Sequence, residues 1–231
     1  MTIEPFAGSP SPPQPPIPWE DRQRLGRVLA FVETLRLFTL APREGFARMR
    51  ERGDLASPLI WGVLCAWLGV VAAQFWSLAL GPLAWLPLLP GGLRQEWAGS
   101  VAALAFGLVA TPLLALVGLF VSAAIVHLFL WMFGGLAESR AGYEGTLRVV
   151  AYSSMAQVAN VVPIVGWVAA VGWTLTLQVL GLTQVHRTTP GRAIAAVLMP
   201  ALLCCAAALV FLAAVVALVA GAILGTGAHR P

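Results

Sequence analysis

Charge is the property that this sequence has least of. Only 10% of the 231 residues are charged, against about 25% in ordinary soluble domains. No Asp, Glu, Lys or Arg occurs in residues 55–93, 97–137, 149–186 or 193–229. One bilayer-spanning helix needs about 20 mostly apolar residues, so these four stretches hold several spans. The sequence therefore predicts an all-α polytopic membrane protein and argues against a soluble domain.

Lysine is absent, and cysteine is scarce. All fourteen basic residues are arginine. Cys65, Cys204 and Cys205 lie inside apolar runs, where small buried thiols are the ordinary interpretation. No His or carboxylate stands at metal-ligand spacing, so we expect no metal site and no cofactor. Paired carboxylates and the common hydrolase, zinc-protease and P-loop motifs are also missing, so the sequence predicts a non-enzymatic protein. Nothing in the pattern supports nucleic acid as a partner.

The N-terminal quarter differs from the rest of the chain. Residues 1–19 are rich in proline and predict a disordered tail. Residues 20–55 predict cytosolic amphipathic helices, because Leu25, Val28 and Val32 recur at helical spacing while arginines interrupt the run. A transmembrane domain is predicted over residues 56–225, and residues 226–231 form a second tail.

An arginine cluster precedes the first apolar run. On a helix, Phe46 and Met49 share one stripe, with arginines on either side of it. Such arginines reach headgroup phosphates while their stems lie in the apolar layer. We therefore predict a membrane-interface surface, although the stripe is also compatible with packing against another part of the protein. The predicted interface residues are Arg43, Phe46, Arg48, Met49, Arg50 and Arg52.

The apolar runs divide into five predicted spans. The run 101–133 is long for one span and short for two. Treated as one, it leaves twelve arginines on the cytosolic side and only Arg94 and Arg230 outside. Cytoplasmic segments favour arginine, so one span is preferred, with the N-terminus inside and the C-terminus outside. The predicted spans are residues 58–80, 101–133, 145–162, 164–182 and 193–224.

Polar side chains at membrane depth are candidate functional residues. His127, Tyr152, Gln157 and Asn160 form the predicted intramembrane polar set. His127 is a functional candidate, although a neutral imidazole bonded to a neighbouring helix is the favoured interpretation. The other three side chains suit either a seam that passes an ion or solute, or hydrogen bonds between helices.

Proline and glycine mark the turns and close contacts. Pro58 begins the first span, and Pro163 with Gly166 makes a short turn between the third and fourth spans. Gly181 is a predicted packing point on the fourth span.

Two segments resemble the Ypt-interacting-protein (YIP) family over roughly residues 35–215. The first is "LRLFTLAPREGFARMRERGDLASPLIWGVL", and the second runs from "TLRVVAYSSMAQVANVVPIVGW" to "AIAAVLMP". The landmarks of the resemblance are Pro42, Phe46, Met49, Gly53, Leu55, Pro58, Leu59, Tyr152, Pro163, Gly166, Trp173, Gly181, Leu182, Ala193 and Pro200.

The resemblance implies a fold and a class of function. It implies five spans, a cytosolic N-terminal region and no enzymatic activity; eukaryotic relatives are membrane adaptors that bind Rab-type GTPases. The arginine-only, Ala- and Leu-rich composition indicates a bacterium, so we expect an inner-membrane scaffold or adaptor of the bacterial five-span branch. Expected partners are anionic inner-leaflet lipids, an unknown protein and a second copy of the chain. A small-solute or ion transporter is the alternative.

Overall fold

The computed structural model describes residues 15–50, 53–85 and 96–227, and these residues form helices without any strand. Three short helices lead into five longer segments. The helices are α1 (Arg22–Leu25), α2 (Arg27–Leu40), α3 (Pro42–Ala47), α4 (Ala56–Trp85), α5 (Glu96–Met132), α6 (Gly142–Ser153), α7 (Gly166–Val185) and α8 (Pro190–Gly227). A 3-10 segment, Ser154–Val161, continues α6. The prediction of an all-α protein is confirmed for the described residues.

Four helices in the described part of the chain are long and apolar enough to cross a membrane. Their candidate spans are Ala56–Ala79, Ala105–Met132, Gly166–Val185 and Pro190–Val216. They overlap four of the five predicted spans. The predicted third span, 145–162, is not among them.

Cross-helix contacts define two ends of the bundle. Gly53 meets Glu144 at what we call the charged end, and Trp76 meets Val161 at what we call the far end. The chain therefore runs from the charged end to the far end along α4, and again along α6 and its 3-10 continuation. Between these two passes α5 returns antiparallel, and afterwards α7 does the same. Arg192 then binds the carbonyl of Gly134, so α8 begins at the charged end beside the end of α5.

The predicted third span is a buried central segment (residues 142–161). All side chains from Gly145 to Ser153 are buried, because α4, α5 and α7 surround α6. The α-helical part is only twelve residues long, and the segment is polar, so it does not qualify as an apolar spanning helix. Its twelve α-helical residues rise about 1.5 Å each and its eight 3-10 residues about 2.0 Å each. Its length is therefore about 34 Å, slightly more than the roughly 30 Å of a hydrocarbon core.

Glycines let α4 approach the central segment closely. A Cβ added at Gly69 would lie 2.6 Å from the carbonyl oxygen of Gln157, and one at Gly62 would lie 3.1 Å from that of Ala151. Real Cβ atoms essentially never lie as close as the first distance, and the second is tighter than most real Cβ contacts. The small residues at these positions therefore set the distance between the two elements.

Helix α5 runs without a break through Pro112. Proline has no N–H, so the carbonyl of Leu108 lacks its normal partner within the helix. The indole N–H of Trp67 in α4 donates to that carbonyl at 3.0 Å. A side chain from the neighbouring helix thus satisfies the backbone group that the proline leaves open, as membrane helices require.

Candidate functional site

The N-terminal layer (residues 17–50) covers the charged end of the bundle. Ile17 and Trp19 are buried in the main hydrophobic core, so the predicted disordered tail does not extend to residue 19. The backbone N–H of Trp19 donates to Thr34 Oγ1 (2.8 Å), and its indole N–H donates to the carbonyl of Ser57 (2.9 Å). Its ring lies 5.4 Å from that of Trp61. Trp19 therefore joins α2 to the start of α4.

Arg22 strengthens the same junction. Its guanidinium donates to Ser57 Oγ (2.7 Å) and lies 5.3 Å from the centre of the Trp19 ring. Ser57 Oγ donates in turn to the carboxylate of Asp54, which also accepts from the backbone N–H of Ala56 (2.9 Å). The Ser57 hydroxyl lowers the pKa of Asp54. An ionised Asp54 fits this position because it caps the N-terminus of α4.

Phe46 and Met49 lie inside the protein. They are 2% and 7% exposed, and the Phe46 ring packs edge-on against Phe38 at 5.0 Å. Phe38 stacks on Tyr152 in turn (5.2 Å between centroids). The membrane-facing assignment of Phe46 and Met49 was therefore wrong. The aromatic cluster gives Phe46 a protein partner, and Gly181 leaves room for its ring, because an added Cβ would lie 2.8 Å from it.

The arginines of the predicted interface have different surroundings. Arg43 is exposed, while Arg48 forms an ion pair with Glu44. Arg50 Nε lies 3.5 Å from Glu20 Oε2. Arg52 is outside the described residues. Lipid contact by these arginines stays a prediction.

The outward face of α2 carries several exposed apolar side chains and one exposed arginine, Arg36. Ala30, Thr34 and Phe38 face the protein and are buried. On the opposite side Val28 is 80% exposed and Val32 50% exposed. Of the predicted stripe, Val28 and Val32 therefore point away from the bundle, whereas Leu25, in α1, packs against the core. The exposed apolar side chains of α2 are Val28, Leu29, Val32 and Leu40, and the exposed arginines are Arg27 and Arg36.

Glu20 joins the layer to the central segment. The hydroxyl of Tyr152 donates to Glu20 Oε1 at 2.9 Å. Burial raises the pKa of Glu20, and the Tyr152 hydrogen bond and the Arg50 charge oppose that shift. Arg148 lies one turn before Tyr152 and is fully buried; its guanidinium donates to Glu144 Oε1 at 2.7 Å. These contacts place a charged network beneath the layer.

A second polar network connects α5, α6 and the loop after α7. His127 Nδ1 lies 2.8 Å from Thr146 Oγ1, which lies 2.9 Å from His186 Nε2. His186 Nδ1 reaches Ser139 Oγ at 2.6 Å. Burial, and secondarily His127, lowers the pKa of His186 to about 4. A neutral His186 fits this hydrogen-bonded network, because the hydroxyls of Thr146 and Ser139 can each either donate to a ring nitrogen or accept from it.

The family-model comparison matches the Yip1 domain over residues 35–212. The chain belongs to the Yip1 family. Members are membrane proteins and are not known as enzymes. With four apolar helices in addition, the chain is a multi-pass membrane protein. The comparisons with curated proteins and with solved structures each gave no significant match.

Within this Yip1 domain the four predicted polar residues do not form one site. Tyr152 lies at the charged end, bonded to Glu20. His127 belongs to the second network. Gln157 and Asn160 lie further along the central segment and bond to each other at 3.3 Å. No continuous polar seam connects these residues in the described structure, and transport has no support there.

The predicted turn and packing residues of the Yip1 domain lie at contact points. Pro58 is buried in the first turns of α4, and Gly181 lies under Phe46. Pro163 is in the turn before α7, and Gly166 is the first residue of α7; a Cβ at Gly166 would lie 2.4 Å from the carbonyl oxygen of Ala159. Glycine is therefore required at 166 for the close return of α7.

His186 was missed by sequence reasoning. It lies beside Arg187 in the loop after α7, a position that favours a solvated side chain, yet the His186 ring is fully buried. Only knowledge that α7 ends beside Thr146 would have located it. In the described part of the Yip1 domain, no cluster of three or more His, Cys, Asp or Glu side chains could hold a metal ion.

Proposed function

We propose that the protein is a non-enzymatic scaffold or adaptor of the bacterial inner membrane. It holds the N-terminal layer against the cytosolic membrane surface. The observation that carries the proposal is the outward face of α2, which exposes Val28, Leu29, Val32 and Leu40 around Arg36 although its opposite face is fixed in the core. A helix of this kind lies in the interface between headgroups and acyl chains.

The contacts of the layer set its height relative to the membrane. Trp19 binds the carbonyl of Ser57 and packs on Trp61, within the first two turns of α4. The layer therefore lies where the apolar part of α4 begins, at headgroup level. Two exposed arginines of α2, Arg27 at its first residue and Arg36 within the outward face, favour anionic lipids, because guanidinium groups pair with phosphate.

Five passes complete the proposed topology. The central segment is about as long as the hydrocarbon core is thick, and its side chains from Thr146 to Ser153 are buried among α4, α5 and α7. It crosses the membrane as the inner helix of the bundle. An odd number of crossings puts the N-terminal layer and the C-terminus on opposite sides, and the arginine content of the layer favours the cytosol for it. The layer is then available to a cytosolic protein or a second copy of the chain.

A fluorescent probe on α2 tests the lipid contact. The full chain, with Cys65, Cys204 and Cys205 replaced by alanine, carries an environment-sensitive dye at Val32→Cys and is placed in nanodiscs. We expect blue-shifted emission in phosphatidylglycerol and less shift in phosphatidylcholine. Arg27→Gln with Arg36→Gln should reduce the difference between the two lipids.

The matched control carries the dye at Thr189→Cys, an exposed position in the loop before α8. Its emission should stay water-like in both lipids. Water-like emission at Val32 in both lipids would contradict the interfacial placement of α2. Saturable solute flux by the purified protein in liposomes would contradict the scaffold assignment instead.

A further inference from the structure

The turn between the 3-10 segment and α7 presents only apolar side chains. We call residues 161–168 the hairpin tip; their sequence is VVPIVGWV. Six of the eight side chains are exposed: Val161, Val162, Ile164, Val165, Trp167 and Val168. Turns that face water usually carry Asn, Asp, Ser or Gly. This composition is unusual for a loop that leaves the membrane.

The most exposed residue of the tip also has an unusual backbone conformation. Ile164 is 79% exposed and has φ +66°. A β-branched residue is strained in this left-handed region, where glycine or asparagine is ordinarily found. At this exposure, the described part of the chain offers the side chain little contact that would compensate for the strain. Contact with an apolar phase outside the protein would explain an isoleucine here.

The backbone of the tip is largely satisfied from within the protein. The Trp76 indole donates to the carbonyl of Val161 at 2.9 Å, and the N–H of Gly166 donates to the carbonyl of Val162 at 3.1 Å. The N–H of Val165 donates to the carbonyl of Pro163 at 2.7 Å, and proline itself has no N–H to satisfy. Irregular backbone at membrane depth needs such partners, because lipid supplies none.

The position of the tip along α4 matches the thickness of a membrane. Trp76, which binds the tip, is twenty residues beyond the first residue of α4, or about 30 Å along the helix. The hydrocarbon core is also about 30 Å thick. Helix α4 continues for nine residues past Trp76, so the hairpin ends before α4 does. The tip therefore lies at the edge of the hydrocarbon layer opposite the charged end.

We propose that the hairpin tip is inserted in the leaflet opposite the N-terminal layer. Ile164, Trp167 and the neighbouring valines lie among lipid acyl chains just below the headgroups. The third and fourth passes thus meet inside the lipid, without an aqueous loop between them. A tryptophan at this depth is typical of membrane interfaces. This inference does not depend on a scaffold function, and it concerns the opposite face of the molecule from α2.

Depth-resolved fluorescence quenching tests the insertion. The cysteine-free full chain carries a dye at Ile164→Cys and is reconstituted with lipids that bear a nitroxide at a shallow or a deep acyl position. We expect strong quenching by the shallow nitroxide, weaker quenching by the deep one, and little reaction of the unlabelled cysteine with a charged maleimide. Leu209→Cys, an exposed position in α8, is the lipid control, and Thr189→Cys is the water control.

Two results would overturn the proposal. One is rapid maleimide labelling of Ile164→Cys with quenching no greater than at Thr189→Cys, which would place the tip in water. The other is a lack of both labelling and lipid quenching at Ile164→Cys while Leu209→Cys is quenched, which would indicate protein cover, as in an oligomer. Neither result would affect the contact of α2 with the opposite membrane surface.

Discussion

At the scale of single residues, Phe46 and Val28 differ in burial although both belong to the N-terminal layer. Phe46 packs on Phe38 and over Gly181, whereas Val28 is exposed. Replacing a buried phenylalanine by alanine costs about 3–5 kcal/mol in well-packed cores. We expect Phe46→Ala to lower the free energy of unfolding in detergent micelles by about 3 kcal/mol. Val28→Ala should change it by less than about 0.5 kcal/mol.

Thermal or denaturant unfolding of the two variants is the measurement. Equal, small changes in the free energy of unfolding would show that Phe46 faces the membrane, as the sequence predicted. A large effect of Val28→Ala would instead show that α2 is covered by protein.

The sequence could not tell which side of each N-terminal helix is covered. Helical spacing shows that Phe46 and Met49 share one face of their helix. It shows in the same way that Val28 and Val32 share a face of α2. It does not show which face meets the bundle, because that depends on a partner distant in sequence. Tyr152 and Gly181, the partners of Phe38 and Phe46, follow more than a hundred residues later. The burial of Trp19 cannot be predicted from its own segment either, because its partners Ser57 and Trp61 lie about forty residues later.

At the scale of helices, the hydrogen bond between Trp67 of α4 and the Leu108 carbonyl of α5 is open to a direct test. Trp67→Phe leaves the Leu108 carbonyl without a partner, and we expect it to cost about 1–2 kcal/mol of stability. In the Pro112→Ala background the residue at 112 supplies an N–H within the helix. In that background Trp67→Phe should lower the free energy of unfolding by less than half as much as it does in the chain with Pro112.

The double-mutant cycle isolates the backbone bond from the general loss of indole packing. Unfolding in mixed micelles, measured for the four proteins, gives the coupling free energy between the two positions. A cost of Trp67→Phe that is the same in both backgrounds would show that the indole acts through packing alone.

The apolar runs made four helices predictable and left the central segment uncertain. Long stretches without charge can satisfy their backbone in lipid only as helices, so α4, α5, α7 and α8 followed from composition. Residues 142–161 carry Arg148, Tyr152 and Gln157, which no lipid-facing helix would tolerate. Their compatibility with the bundle depends on Glu144, Glu20 and the glycines of α4. Neither those contacts nor the 3-10 geometry can be read from a single segment.

At the scale of the whole molecule, the positions of the arginines and the contacts between helices identify the same end of the bundle as the charged end. Arg22, Arg148 and Arg192 all lie at the end where α4, α6 and α8 begin. That agreement follows from the high free-energy cost of placing guanidinium groups in hydrocarbon. The number of membrane crossings decides which side the C-terminus occupies. Four crossings return it to the side of the N-terminal layer, and five place it on the other side.

Two-sided cysteine labelling measures this parity most directly. Single cysteines at Ala47, exposed in α3, and at Ala228, in the sequence after α8, are placed in the cysteine-free full chain in sealed native membrane vesicles. A charged maleimide is added from one side at a time. The account predicts that Ala47→Cys and Ala228→Cys react from opposite sides. Reaction of both cysteines from the same side would contradict the five-pass topology.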